Sequence, residues 1–300
     1  MPEVTPAAVS SDDPQTYEDT HVHAVYDEIA PHFSFTRYKP WPIIAAFMSS
    51  LPTGWVGVDL GTGNGKYLPL PSDRPNGVWT VGFDRSLNLL KIAKRAGDGE
   101  REVVWGDVLD HPWRTGAFDY AISIATIHHL ATPYRRKVAV QRLLQSISPA
   151  HGRALIYVWA IEQDQLSKRA IPTDSTERGQ TFAPKGQDVY VPWVLNPSTA
   201  TKPKTKQKKR SLKDDAFEDG QLNFAAFDDP PKVFNRYYHM FSQGELRDLV
   251  VDAAQEMQLV IGEAPDAPSG SKAGPQRGVH IVADGWERSN YYVELRRWQQ

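Results

Sequence analysis

The 300-residue chain contains no cysteine. That excludes disulfides, thiolate-bound zinc, iron–sulfur clusters and any thiol nucleophile. No apolar run approaches the ~20 residues that cross a bilayer, and the first twenty residues lack the apolar core of a secretory signal. The chain is therefore expected to be soluble and intracellular, cytoplasmic with a nuclear location also open, and without membrane contact. Neither sign of charge is in excess: 34 Lys and Arg against 36 Asp and Glu leave a net charge of −2. Bulk attraction to nucleic acid is excluded, although a local basic patch is not. No period of 20–50 residues recurs, which argues against a repeat architecture. Proline, by contrast, is abundant, with 23 residues against an average of roughly 5%, and points to long irregular segments.

Residues 1–15 are rich in Pro, Ser and Asp and are expected to be disordered. Val22, Val25, Tyr26 and Ile29 then fall at i, i+3, i+4 and i+7, predicting a helix that Pro31 ends. A second helix is predicted over 43–50, with Pro42 at its start. Strands are predicted at 55–60, 78–83, 102–105, 118–124 and 153–159, and a helix at 135–148 with Val140, Leu143, Leu144 and Ile147 on one face. This alternation implies a parallel sheet covered by helices on both sides. The pattern lapses over about 161–235, where Lys202, Lys204, Lys206, Lys208, Lys209 and Arg210 precede Asp214, Asp215, Glu218 and Asp219. That stretch reads as a flexible insertion. A helix at 243–256, a Pro/Gly/Ser loop at about 264–278 and a β-hairpin of 279–287 with 290–297 complete a single domain over 16–300.

The sharpest motif is Asp59-Leu60-Gly61-Thr62-Gly63-Asn64-Gly65, directly after a predicted strand. Glycines let the backbone turn tightly and let a ligand approach main-chain N–H groups. The spacing is not the Gly-x-Gly-x-x-Gly of dinucleotide binders, and a carboxylate at Asp59 would repel pyrophosphate while suiting a cationic ligand such as S-adenosylmethionine. Asp84 closes the next strand, nineteen residues after Gly65, where an acid can accept from ribose hydroxyls. Asp107 closes the third, within reach of an adenine amino group. An acid after each of three successive strands resembles the class I methyltransferases.

After strand 118–124 comes Ala125-Thr126-Ile127-His128-His129. The Asn/Asp-Pro-Pro-aromatic tetrad of exocyclic amino methylases is absent, and pyrimidine C5 methylation by covalent addition needs a cysteine. A carboxylate, phenolate or amine acceptor remains; a carboxylate is already ionised at pH 7 and needs no base, so catalysis would be chiefly alignment. His128 and His129 are placed to line the acceptor site. No metal site is expected. Arg37-Tyr38-Lys39-Pro40-Trp41 interleaves cations and rings as RNA-loop recognition requires. Arg135-Arg136-Lys137, at a helix start where the macrodipole disfavours cations, hints at phosphate binding.

A closer resemblance rests on Tyr26–Ser34, Thr36–Pro42, Gly61–Tyr67, Ala121–Ala125, His128-His129, Ala154–Tyr157, Val189–Leu195, Lys202–Lys206, Arg236–His239 and Gly285–Arg288. These blocks resemble the eukaryotic tRNA carboxymethyluridine methyltransferases, from about residue 18 to the end and patchily over 160–235 and 264–278. The resemblance implies an α/β class I methyltransferase fold, a Rossmann-like doubly wound sheet that is mostly parallel with a C-terminal antiparallel hairpin. It implies methyl esterification of 5-carboxymethyluridine at the tRNA wobble position with S-adenosylmethionine, acting on the tRNA anticodon stem-loop as a heterodimer with a small zinc-binding activator subunit. Asp59, Gly61, Gly63, Asp84 and Asp107 would hold the cofactor, with Thr62, Asn64, Arg85, Val108 and Ile124 beside them. His128, Arg37 and Tyr38 would be catalytic; Arg37, Lys39, His129, Trp159, Tyr190, Trp193, Arg236 and His239 would bind the nucleotide. Thr62 stands where that family often has Cys, and is expected to serve because the glycines set the turn. A small-molecule carboxylate or phenol O-methyltransferase, and a noncatalytic tRNA-binding protein, stay open as other readings.

Overall fold

The computed structural model describes residues 3–9, 12–37, 39–165, 167, 171, 186–195, 232–265 and 276–300. The parallel core is built from β2 (Val56–Leu60), β3 (Trp79–Asp84), β4 (Val103–Trp105), β5 (Tyr120–Ile124) and β6 (Arg153–Trp159). A C-terminal hairpin, β10 (Arg277–Glu287) with β11 (Asn290–Gln299), runs antiparallel on β6, and the short β9 (Val260–Ile261) flanks it. Among the described residues these strands form one sheet in the order β4-β3-β2-β5-β6-β11-β10-β9. All five residues of β5 are buried, as expected of a central strand covered on both faces. The chain winds outward through β3 and β4, then returns to β5 on the other side of β2. The carboxyl ends of β2 and β5 therefore flank the switch point, where open α/β sheets leave a crevice for ligands.

Helices α3 (Pro42–Ser50), α4 (Leu87–Ala93), α5 (Pro133–Ser146) and α6 (Glu245–Glu256) cover the sheet. Val140, Leu143 and Leu144 of α5 are buried on the same face with Ile147 at its end, each contributing roughly 1.5–3 kcal/mol by leaving water. The N-terminal helical stretch comprises α1 (Pro14–Glu18), a π-turn (Asp19–His23) and α2 (Ala24–Thr36). Contrary to expectation, α2 runs through Pro31. Proline removes the N–H that the Asp27 carbonyl would accept, and the Asn88 side-chain amide replaces it at 3.0 Å.

A second sheet joins β1 (Thr5–Pro6), β7 (Gln187–Leu195) and β8 (Lys232–Met240) in that order. Part of the segment expected to be disordered thus lies along β7, with Thr5 opposite Tyr190. Part of the expected insertion is strand; its basic run at 202–210 lies outside the described residues, as does most of the loop expected at 264–278. Glu18 fastens α1 to the body: fully buried, it accepts from Ala131 N–H at 2.7 Å and from Arg135 at 2.6 and 2.8 Å.

The β7–β8 ribbon is fastened by His239, whose Nδ1 lies 2.8 Å from Asp188 and Nε2 2.7 Å from Glu245. Burial works to raise both carboxyls, but hydrogen bonds from His239, with Tyr237 on Asp188 and Ser242 on Glu245, hold both below their ordinary values. Because the folded values lie below the unfolded ones, this contribution is complete above ~pH 5 and drains away as pH falls below ~4. Replacing His239 by Ala is expected to cost about 3 kcal/mol in urea unfolding at pH 7, with a smaller deficit at pH 3.

Candidate functional site

The crevice at the switch point is a cleft of about 580 Å³ between the β2–β5 strand ends, the N-terminal helices and β8. One end is the glycine turn after β2. Gly61 and Gly63 have φ of +87° and +57°, and a side chain on Gly61 would run into the Thr126 side chain. Gly63 donates its N–H to Asp84 Oδ2 at 2.7 Å, while Asp84 Oδ1 accepts from Ser86 N–H at 2.8 Å, so the ends of β2 and β3 are tied together. Beneath the turn, fully buried Asp59 accepts from Thr62 Oγ1 at 2.8 Å, and its Oδ1 has no hydrogen-bond partner among the described residues. Burial pushes Asp59 up to about 7, opposed by the Thr62 hydrogen bond. Lys66 follows the turn with Nζ 4.4 Å from the Trp41 ring centroid and 4.7 Å from that of Tyr67. Burial and the nearby Arg37 charge bring Lys66 down to about 8. Asp107, at the far edge, accepts from Leu109 N–H at 3.0 Å and from Arg85 at 2.9 Å, and Arg85 also reaches Asp19 at 2.7 Å.

The opposite wall is aromatic and basic. Trp159 from β6 stacks on Tyr238 from β8 with centroids 4.2 Å apart and planes at 7°. A 3₁₀ turn (Ile127–His129) after β5 brings in two imidazoles. His128 Nδ1 accepts from Trp159 N–H at 3.1 Å. His129 Nδ1 lies 2.8 Å from the Tyr237 carbonyl, so that nitrogen carries the proton. Burial drives His129 down to about 3 and keeps it neutral. Its Nε2 is then an acceptor for Tyr26 OH at 3.1 Å, and Tyr26 in turn accepts from Tyr238 OH at 3.0 Å and Arg236 Nη1 at 3.3 Å. Arg236 is 4% exposed, lies over Trp193 at 4.6 Å and Tyr238 at 5.2 Å, and its buried Nε has no hydrogen-bond partner among the described residues. Among the described residues no carboxylate forms an ion pair with it.

Residues 58–148 match the family described as "Methyltransferase domain". The curated "tRNA (carboxymethyluridine(34)-5-O)-methyltransferase" of Schizosaccharomyces pombe is 42% identical over 277 residues, 92% of this chain and 96% of that one. The Saccharomyces cerevisiae protein of the same name is 34% identical over 292 residues, 93% of this chain and 96% of the other. The chain belongs to the tRNA (carboxymethyluridine(34)-5-O)-methyltransferase family. A solved structure, the Burkholderia thailandensis 1,6-didemethyltoxoflavin-N1-methyltransferase with bound S-adenosylhomocysteine, shares the fold: TM-score 0.54 at 14% identity, covering 98% of this chain and 94% of that one.

For this family member, the cleft is lined by Gly61, Thr62, Gly63, Asn64, Asp84, Arg85, Asp107, Val108 and Ile124 and also by Lys39, His128, His129, Trp159 and Arg236. Arg37 spans the two groups, its carbonyl accepting from Asn64 Nδ2 at 3.2 Å and its guanidinium lying over Trp193 at 5.5 Å. Four expected residues are placed elsewhere, and Tyr38 lies outside the described residues. Asp59 is under the floor rather than on it, and Thr62 has a task of its own in bonding it. Tyr190, His239 and Trp193 sort by strand alternation, which sends successive side chains to opposite faces. Asp188, Tyr190, Tyr237 and His239 share the face away from the cleft, where Tyr190 OH meets Tyr17 OH at 2.8 Å. Val191, Trp193, Arg236 and Tyr238 share the other face, so Trp193 buttresses Arg236 from behind and donates Nε1–H to His32 at 3.0 Å. The Arg135–Lys137 cluster is no phosphate site: Arg135 pairs with Glu18, buried Arg136 donates to the Leu130 carbonyl at 2.8 Å, and Lys137 pairs with Glu256. Sequence reasoning missed Tyr26, Lys66 and Tyr238, although each lay inside a quoted block.

The two glycines separate conformational strain from collision. Gly63→Ala, with nothing within 4 Å of an added Cβ, is expected to cost about 1–2 kcal/mol for a left-handed residue. Gly61→Ala adds overlap with Thr126 and is expected to cost at least twice that, measured by denaturant unfolding.

Proposed function

We infer that this chain uses S-adenosylmethionine to esterify the carboxylate of 5-carboxymethyluridine at tRNA position 34. The observation that carries the reading is Arg236. An ionised guanidinium taken out of water without an acid beside it costs several kcal/mol; an acceptor carboxylate supplies the missing partner and is thereby fixed beside the reacting methyl group. Arginine suits this role because its planar fork bonds a carboxylate through two parallel N–H groups. No base is needed, since the acid is ionised at neutral pH, and His129, neutral down to about 3, holds Tyr26 rather than taking a proton. The Trp159–Tyr238 stack gives a flat apolar surface of the kind on which an extruded base lies.

The other end of the cleft fits the cofactor. Asp59, buried beneath the glycine turn with Oδ1 unpartnered among the described residues, lends a negative charge that suits a cationic amino acid portion above the turn, and the space above Gly63 admits close approach. Lys66, cationic and facing the same end, suits the carboxylate of that portion. When bound, the cofactor supplies a methyl group on cationic sulfur: a carboxylate oxygen bonds to that carbon as the carbon–sulfur bond breaks, leaving a neutral thioether. The protein contributes alignment and exclusion of water.

A small zinc-binding activator subunit, implied by the family resemblance, has a suitable place on β4. This edge strand of the sheet exposes Val104 and Trp105, the latter 63% exposed, and Trp79 opens β3 next to it. Unpaired strand edges with apolar side chains are surfaces that a partner strand covers. The anticodon stem-loop would enter from the Arg37 and Lys39 side of the cleft.

Arg236→Ala should lower kcat/KM for carboxymethyluridine-bearing tRNA by a hundredfold or more, as expected for removing one member of a buried charge pair, while calorimetric affinity for S-adenosylhomocysteine stays within twofold. Cofactor affinity should rise with pH through about 7 as Asp59 ionises, and fall above about 8 as Lys66 loses its charge. Asp59→Asn should remove the acid limb and Lys66→Met the basic limb in titrations followed by calorimetry.

A further inference from the structure

The helix that covers the cofactor end is interrupted by the π-turn at Asp19–His23. Such turns insert a residue, re-aim the side chains and are frequent at functional sites. Val22 is anchored, buried against Ala131 and Tyr237. Its neighbour His23 is delivered to the rim of the cleft beside Arg85, Asp107 and Val108. Burial, reinforced by the Arg85 charge, keeps the imidazole below its ordinary value and neutral at pH 7, so it offers one donor and one acceptor nitrogen. Its Nε2 is buried and has no hydrogen-bond partner among the described residues, whereas buried polar atoms in native structures almost always have one.

Asp107, the residue expected to read the adenine amino group, already accepts from Leu109 N–H with Oδ1 and from Arg85 with Oδ2. The rim of the cleft at this acid therefore holds one engaged carboxylate and one idle nitrogen. We propose that His23 Nε2 is a hydrogen-bond partner of the adenine edge of the cofactor, making the π-turn a base-specificity element. The assignment rests on the S-adenosylmethionine reading given above. The inserted residue offsets the helical phase of α1 from that of α2 by about 100°, with Val22 in the core and His23 at the rim of the cleft.

The test is calorimetry on the full-length chain with S-adenosylhomocysteine and S-inosylhomocysteine, which carries a carbonyl where adenine has its amino group. The wild type should prefer the adenine form. His23→Phe, which keeps the ring and removes both nitrogens, should weaken S-adenosylhomocysteine about tenfold and bring the preference toward unity. His23→Gln, which retains a polar atom at that reach, should keep most of the preference. Wild-type affinity in His23→Phe would overturn the assignment. So would an equal loss for both analogues with the ratio unchanged, since that is the mark of a purely structural residue. A wild type that binds neither analogue would overturn the cofactor reading, and the His23 assignment with it.

Discussion

A cation buried without an acidic counter-charge among the described residues is the constraint around which this site is organised. Arg236 is held by Tyr26 and enclosed by Trp193 and Tyr238, and rings stabilise a guanidinium by roughly 0.5–2 kcal/mol each. That does not offset full desolvation, so the folded protein keeps an electrostatic deficit at the one place where an acidic substrate would remove it. The arrangement is stiff. Proton placement runs in one sense, from Tyr238 and Arg236 to Tyr26, from Tyr26 to His129, and from His129 to the Tyr237 carbonyl. Because His129 cannot charge near neutrality, that sense is not reversed under working conditions.

The two ends of the cleft divide the chemistry by charge. On the proposed reading, the glycine-turn end, with Asp84 and Asp107 on the cleft and Asp59 beneath it, would face a donor with positive sulfur, and Arg236 at the aromatic end would face a negative acceptor. In a water-poor cleft, opposite charges on donor and acceptor would draw them into line, and their mutual neutralisation would make the transition less charged than the bound reactants. Transfer would leave Arg236 and the acids of the donor end without the charges they had faced, which favours release of the neutral ester and thioether. Electrostatics also explain how a chain of net charge −2 can serve a polyanionic substrate, since only the cleft and its margin need cations.

The donor end was legible in the sequence because its parts are local. Asp59, Gly61 and Gly63 are almost adjacent, and Asp84 and Asp107 each close a strand marked by apolar composition. The acceptor end was legible in part: His128 and His129 follow a predicted strand, and Arg37 and Lys39 stand in a mixed basic and aromatic run. Arg236 came only through resemblance, because the parts of its network are distant: Tyr26 meets Tyr238 across 212 positions and His129 across 103. Within Arg236–His239 the block could be seen, but not which face each residue takes. The pairing of β8 with β7 decides that, giving Arg236 and Tyr238 to the cleft and His239 to Asp188 and Glu245. Tyr190 was misplaced for the same reason, being one residue out of phase with Val191. Pro31 misled in another way. The rule that proline stops a helix is sound for an unassisted carbonyl, but Asn88, from a different helix, satisfies the one that proline abandons.

The central claim is that the acceptor end is built for a negative charge. It is tested most directly by wild-type binding of one tRNA carrying, at position 34, either carboxymethyluridine or the neutral carbamoylmethyluridine of almost the same shape. The account predicts at least tenfold tighter binding of the acid. Equal affinity for the acid and the amide would contradict it.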